Sequence, residues 1–229
     1  MNFKTHLRLA LALILVPAMP AAFADGAAPD VLLKAVTVDV IALVRQDKEI
    51  QAGNPAKVAD VVETRILPLF DFAHMTRLAV ARNWKGASVE QQASLTTEFR
   101  TLLVRTYSTA LSSYRDQVIE FKPLRAAPGD TEVTVKSVVK QSGTDPLTID
   151  YDMEKTPSGW KVYDIKIDGV SLITTYRESF AERVRSGGVD GLIKSLADKN
   201  HQRDARAGIN QTQNATFSAL ARALLQGGT

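Results

Sequence analysis

Acid–base chemistry in this chain would fall to His74, which follows Asp71 by three residues and can share a helix face with it. The same two residues are equally explained as a helix cap and a polar position on the helix it starts. Of the three histidines, His6 lies in the N-terminal apolar segment, and His74 and His201 stand too far apart in sequence for paired metal ligands. The chain has no cysteine, which removes thiol nucleophiles and thiolate metal sites. No G-x-S-x-G elbow surrounds a serine, and Ser171, in the turn after Asp168-Gly169, has no base near it in sequence. Asp150, Asp152, Asp164 and Asp168 are oxygen ligands of the kind a hard cation takes, but all four fall in the outward phase of alternating strands and read as a solvated face. Gly169 and Gly187-Gly188 lack any P-loop or dinucleotide context and read as punctuation. No catalytic constellation and no metal site is legible.

The elements that would position these residues run helices, strands, helices. Asp30 can cap a first helix carrying Leu32, Leu33, Val36, Val40, Leu43 and Val44 at helical spacing. Asn54-Pro55 offers a cap and first-turn proline for a second helix, stopped at Leu67 by Pro68. Asp71 caps a short helix. Ser88 and Gln91 form a capping box for the longest, expected to reach Tyr114, with Leu95, Phe99, Leu102, Leu103 and Tyr107 on one face. Strands follow at Val118 to Lys122, Glu132 to Lys140, Leu147 to Glu154 and Trp160 to Asp168. In the third, Leu147, Ile149, Tyr151 and Met153 alternate with polar residues, which demands one dry and one wet face. In the fourth, Trp160 and Val162 are out of phase with Tyr163, Ile165 and Ile167, which calls for a bulge near 162 or burial on both faces. Helices are expected over Ser171 to Arg185 and Asp190 to Asn200.

The N-terminus addresses location. Lys4 and Arg8, an apolar run from Leu7 to Met19, and Ala22-Phe23-Ala24 before Asp25 read as a signal peptide, residues 1–24, cleaved on export. Pro17 and Pro20 break the run short of the roughly 20 apolar residues that a membrane span needs. Cleavage leaves 26 Lys and Arg against 25 Asp and Glu. So even a charge balance lacks the electrostatic footprint of a nucleic-acid binder. Residues 25–200 suffice for one domain with a substantial core, held by packing alone. Residues 201–229 read as a polar linker followed by a short amphipathic helix carrying Phe217, Leu220, Leu224 and Leu225.

An α+β fold buries every apolar stripe: a curved antiparallel sheet of four or five strands with several helices on its dry face. Whether that interface is a solid core or encloses an apolar cavity is not decided by periodicity. The run WKVYDIKIDGVSLITTYRESF from Trp160 to Phe180 bears on it, with ILPLFDFAHMTRLAV from Ile66 to Val80, Trp84, the Gln91 to Tyr107 helix, Gly187-Gly188 and LIKSL at Leu192 to Leu196. Over about residues 30 to 200 these runs resemble the MlaC family, also called the toluene-tolerance family, of periplasmic phospholipid carriers. The turn before Trp84 departs from it, reading Ala81-Arg82-Asn83 where relatives often carry glycine. The resemblance implies a cavity between the layers and no enzymatic activity or cofactor beyond a diacyl phospholipid cargo. Candidate walls are Phe70, Met75, Leu95, Phe99, Leu102, Leu103, Ile149, Tyr151, Met153, Tyr163, Ile165 and Ile167. It also implies two partners, an outer-membrane lipoprotein–porin complex and an inner-membrane ABC transporter complex with an MCE-domain protein, in a shuttle that maintains outer-membrane lipid asymmetry. A hopanoid or other lipid as cargo, a solid-core protein-interaction module and a lipid-acting enzyme are the alternatives.

Overall fold

The structure, a computed structural model, describes residues 27–207, so the signal-peptide reading and the helix expected around Phe217 lie outside the described residues. Five strands form one antiparallel meander in the order β1 (Val118–Phe121), β2 (Glu132–Lys140), β3 (Leu147–Thr156), β4 (Gly159–Ile167) and β5 (Val170–Ser171). Register assigns the faces, because residues directly opposite share one. Phe121, Ser137, Ile149 and Ile167 make one dry row, with the exposed Val170 at its edge, Val135, Tyr151 and Ile165 the next, and Val133, Met153 and Val162 a third.

The third row works only because of a bulge. Asp152 pairs with Asp164 but Met153 pairs with Val162, leaving Tyr163 as an extra residue. That extra residue turns Val162 and Trp160 onto the dry face and Tyr163 onto the wet one. The phase break in the sequence is this feature. At the end of β4, Asp168 (φ +47°) and Gly169 (φ +81°) make a two-residue turn with both φ values positive. Asp168 Oδ1 accepts from Thr148 N at 2.9 Å and from its hydroxyl at 2.8 Å, fixing the turn to β3. The chain leaves this hairpin through β5 and one 3-10 turn, Thr174–Tyr176, rather than entering a helix at Ser171.

Among the described residues seven α-helices accompany the sheet, packed on its dry face or on one another. α1 (Pro29–Gln46) starts at Pro29 with Ala28 as an uncapped N-cap, so Asp30 lies within its first turn rather than before it. A short α2 (Lys48–Gln51) is capped by Asp47, and α3 (Pro55–Val61) by Asn54, whose side chain accepts from Ala56 N and Lys57 N. The expected second helix then loses its regular period: Val62–Ile66 is a π-helical turn and Leu67–Leu69 a 3-10 turn. α4 (Phe72–Val80) is capped by Asp71 and α5 (Val89–Tyr107) by the Ser88–Gln91 box. α5 ends at Ser108 instead of reaching Tyr114, and α6 (Thr109–Ser112) follows. α7 (Arg177–Ala207) is interrupted at Gly188, where φ is +68°, and continues seven residues past Asn200.

Packing divides into three clusters. Leu95, Phe99 and Leu102 of α5 meet Met75 and Val80 of α4 and Phe180, Leu192 and Leu196 of α7. Phe99 is fully buried, with edge-on contacts to Tyr176 and Phe180 at centroid distances of 5.0 and 5.1 Å. Val40, Val44, Ile50, Val58 and Val61 join α1 to α3, and Leu33 of α1 packs onto the Val135, Met153 and Val162 side chains of the sheet. Phe70 borders both the sheet cluster and the helical cluster.

Candidate functional site

Between sheet and helices lies a cavity of about 280 Å³. Its floor is Ile149, Tyr151, Ile165 and Ile167, placed by the first two dry rows of β3 and β4. One wall is the end of α5 with α6, through Leu103, Val104, Tyr107 and Leu111; the other is Val62, Ile66 and Leu67 of the irregular turns with Phe70, Phe72 and Met75. Leu172 and Ile173 complete it, and no lining residue carries a charge. The few polar atoms belong to Tyr107, Ser108 and Tyr151. Burial pushes the Tyr151 phenol above its usual 10.0, opposed by a hydrogen bond with Ser137. Tyr151 is only partly covered by neighbouring atoms because part of its surface faces the hollow.

Of the expected wall residues, Phe70, Met75, Leu103, Ile149, Tyr151, Ile165 and Ile167 come together here. Leu95, Phe99, Leu102 and Met153 do not: each is at most 2% exposed and packed solidly, the first three among the helices and Met153 against Val162. Tyr163 is on the opposite face, turned there by the bulge. The walls left out of that expectation come partly from irregular backbone, Val62, Ile66 and Leu67 and then Leu172 and Ile173 after β5, and partly from helices, Phe72 of α4, Val104 and Tyr107 of α5, and Ala110 and Leu111 of the short α6. The residues on irregular backbone share one signal, apolar side chains with neither a two-residue nor a helical period.

The polar candidates are structural. Asp71 Oδ1 accepts from the backbone N–H of His74 at 2.8 Å, so its carboxylate caps α4. His74 instead sets Nδ1 2.5 Å from Glu154 Oε1 and stacks on Tyr163 with centroids 4.4 Å apart, binding α4 to the sheet. Asp152 and Asp164 are buried, 8% and 5% exposed, contrary to the solvated face expected for them. Asp164 accepts from the Ser171 hydroxyl at 2.5 Å and from Ile173 N at 3.4 Å, clasping the turn after β4. Asp152 accepts from the Thr134 hydroxyl at 2.7 Å and pairs with Lys166 at 2.6 Å. The bulge places Tyr163 and Asp164 side by side on the wet face, where Tyr163 helps to cover the carboxylates. Among the described residues no three His, Asp or Glu side chains converge as a metal site requires.

The irregular turns are tied down from outside while their apolar side chains point inward. Glu63 pairs with Arg100 of α5 at 2.5 Å and Arg65 with Asp39 of α1 at 3.4 Å. Lys161 Nζ donates to the Pro68 carbonyl at 2.6 Å, and Asp71 N donates to Val162 O at 2.9 Å. On the far side of these turns is a second hollow of about 800 Å³, bounded by the start of α1 and the β3–β4 turn.

An α+β domain with an uncharged hollow between a meander sheet and its helices is built to enclose an apolar ligand. The chain belongs to the MlaC family, whose MlaC protein model matches residues 34–198. It is similar to the phospholipid-binding protein of Ralstonia solanacearum, solved in complex with a phospholipid: 41% identity, 77% of this chain and 98% of that chain covered, TM-score 0.71. It is also similar to toluene tolerance protein ttg2D of Pseudomonas putida, 22% identical over 78% of this chain and 83% of the relative. The intermembrane phospholipid transport system binding protein MlaC of Haemophilus influenzae is 22% identical over 65% of this chain and 71% of its own.

Proposed function

We propose that this chain carries phospholipid through the periplasm, holding acyl chain in the cavity between sheet and helices. The observation that carries this reading is the lining of that cavity: apolar side chains from every surrounding element and not one charge. Membership of the MlaC family and the phospholipid-bound relative support it. The physics makes a carrier necessary. Two acyl chains hold on the order of 30 methylenes, and at about 0.8 kcal/mol each their exposure to water costs more than 20 kcal/mol. An aqueous gap is crossed only if tails stay dry throughout, while the charged headgroup stays near solvent to avoid the cost of burial.

The chemistry required is retention and release, so the cargo should leave with its bonds intact. The partners that fit this role are an outer-membrane lipoprotein–porin complex and an inner-membrane ABC transporter complex with an MCE-domain protein. The testing experiment is native mass spectrometry of protein purified from periplasm without detergent, followed by lipid extraction. The expected result is a stoichiometric, chemically intact diacyl phospholipid. Protein that is reproducibly empty and takes no lipid from vesicles would overturn the reading, and a hopanoid would change the cargo.

A further inference from the structure

The cavity between sheet and helices has an apolar mouth. Of the residues that line it, Ala110 of α6 is the exposed one, so the space meets solvent beside that helix. Leu111, Ile167 and Leu172, which also line it, are half-buried. Val170, opposite Ile167 at the sheet edge, is 60% exposed. Without cargo these side chains stand against water, and the hydrophobic effect favours whatever covers them.

The described residues end close to this mouth. α5 and the later part of α7 run side by side in the same direction. Gln91 Nε2 donates to Asp190 Oδ1 at 2.7 Å near the start of α5, and further along Asn200 Nδ2 donates to Glu98 O at 3.0 Å. Arg105 then donates to the Asn200 carbonyl. The first two contacts join residues 99 and 102 apart in sequence. With the same rise per residue in both helices, those offsets set Ala207, the last residue of α7, level with residues 105–108. Tyr107 and Ser108 at that level line the cavity.

Residues 208–229 continue from there, beyond the region of the family match, which ends at residue 198. The uncharged stretch 208–214 can reach up to roughly 23 Å when extended. The spacing from Ala215 to Leu225 then predicts a helix with Phe217, Leu220 and Leu224 on one face and Arg222 on the other. A helix of that length is marginal alone in water and forms when its apolar face is buried. The segment needs a cover for that face, and the cavity mouth needs one for its own. A short tether holds the two at an effective concentration in the millimolar range.

We propose that residues 215–225 dock across the mouth of the unloaded cavity, setting Phe217, Leu220 and Leu224 against Ala110, Leu111 and Leu172, and that an entering acyl chain displaces them. The displacement rests on the carrier reading above; the docking does not. The chain then carries an internal competitor for its cargo, which covers the empty site and lowers the apparent affinity for lipid. The test uses protein purified from periplasm, delipidated, and labelled with a nitroxide at Ser218→Cys, the one cysteine in the chain. Amide signals of Ala110, Leu111 and Leu172 should broaden, and those of Thr134 and Lys136 on the wet face should not. A Phe217→Ser, Leu220→Ser, Leu224→Ser variant with the same label should lose that broadening. Vesicles of palmitoyl-oleoyl phosphatidylglycerol should reverse it in the chain with the apolar face intact. The triple variant without the label should bind that lipid about tenfold more tightly than the unaltered chain, as removal of a competitor that occupies nine sites in ten requires.

No broadening at the mouth would overturn the docking. So would broadening that persists in the triple variant, since that reports the tether's proximity alone. Broadening in a mixture of nitroxide-labelled chain and isotope-labelled chain without the nitroxide would assign the site to a second copy and overturn docking within one chain. Broadening that lipid leaves in place, with equal lipid affinity in both chains, would overturn the displacement. Uptake of no lipid by either chain would overturn the carrier reading and the displacement with it, while broadening in the lipid-free protein would still support the docking.

Discussion

Ala81 holds φ at +52° and ψ at −127°, a backbone region that glycine enters freely and alanine only under strain. It joins α4 to the 3-10 turn Ala81–Gly86. Ala81→Gly should therefore stabilise the fold by about 1 kcal/mol, because relief of the strained Cβ outweighs the added freedom of the unfolded chain. A thermal melt should rise by about 2–4 °C. A second residue-scale prediction concerns alkali. Lys166 is held above its usual 10.5 chiefly by its hydrogen bond to Asp152, and Tyr151 above 10.0 by burial. For both, the folded state keeps the proton longer than the unfolded state. Their contribution is complete below about pH 10 and fades as pH rises through the raised values. Urea midpoints measured from pH 8 to 11.5 should fall above pH 10, less steeply in Tyr151→Phe, and a parallel decline in that variant would refute the assignment. The burial of Tyr151 was legible in the alternation of β3, but the Lys166 effect was not, because Asp152 read as solvated and the buried wet-face cluster exists only once the bulge sets Tyr163 and Asp164 side by side.

Strand phase makes the sharpest claim at the scale of elements. Ile149 lines the cavity floor, whereas its neighbour Asp150 faces the wet side with Lys136 at 3.3 Å. Ile149→Asp should abolish lipid retention or unfold the domain, since a charge would enter a space with no partner for it. Asp150→Asn should alter stability by no more than about 0.5 kcal/mol and leave retention intact. Equal damage from both, read by melting and lipid extraction, would sink the phase. Elements of regular period were readable: the capping box before α5, the Asn54 cap of α3, the alternation of β3 and the phase break in β4 each announce themselves in a few residues. The walls of the site were less so. Ile66-Leu67-Pro68-Leu69-Phe70 passes from a π turn to a 3-10 turn, and neither has a hydrophobic period long enough to recognise. Leu95, Phe99, Leu102 and Met153 carry the same apolar signature as true wall residues. Solid and hollow differ by the placement of neighbouring backbone, which periodicity does not encode.

The whole molecule joins a solid half to a hollow one. Around Phe99 the helices leave no space, while a few residues further along α5 the same helix borders a cavity. Binding to the folded state alone should then act as a stabiliser: lipid at 100 times its dissociation constant adds about 2.7 kcal/mol. Delipidated protein should melt lower than loaded protein by several degrees, and identical melts would argue against tails in this cavity. The order in which the chain is made bears on its solid half as well. Phe180, Leu192 and Leu196 come from α7, the last described element, yet they close the core that α4 and α5 begin. Until they arrive, Leu95 and Phe99 stay uncovered. A chain cut short before α7 therefore displays its most hydrophobic surface to chaperones and proteases, so the architecture carries its own inspection for completeness.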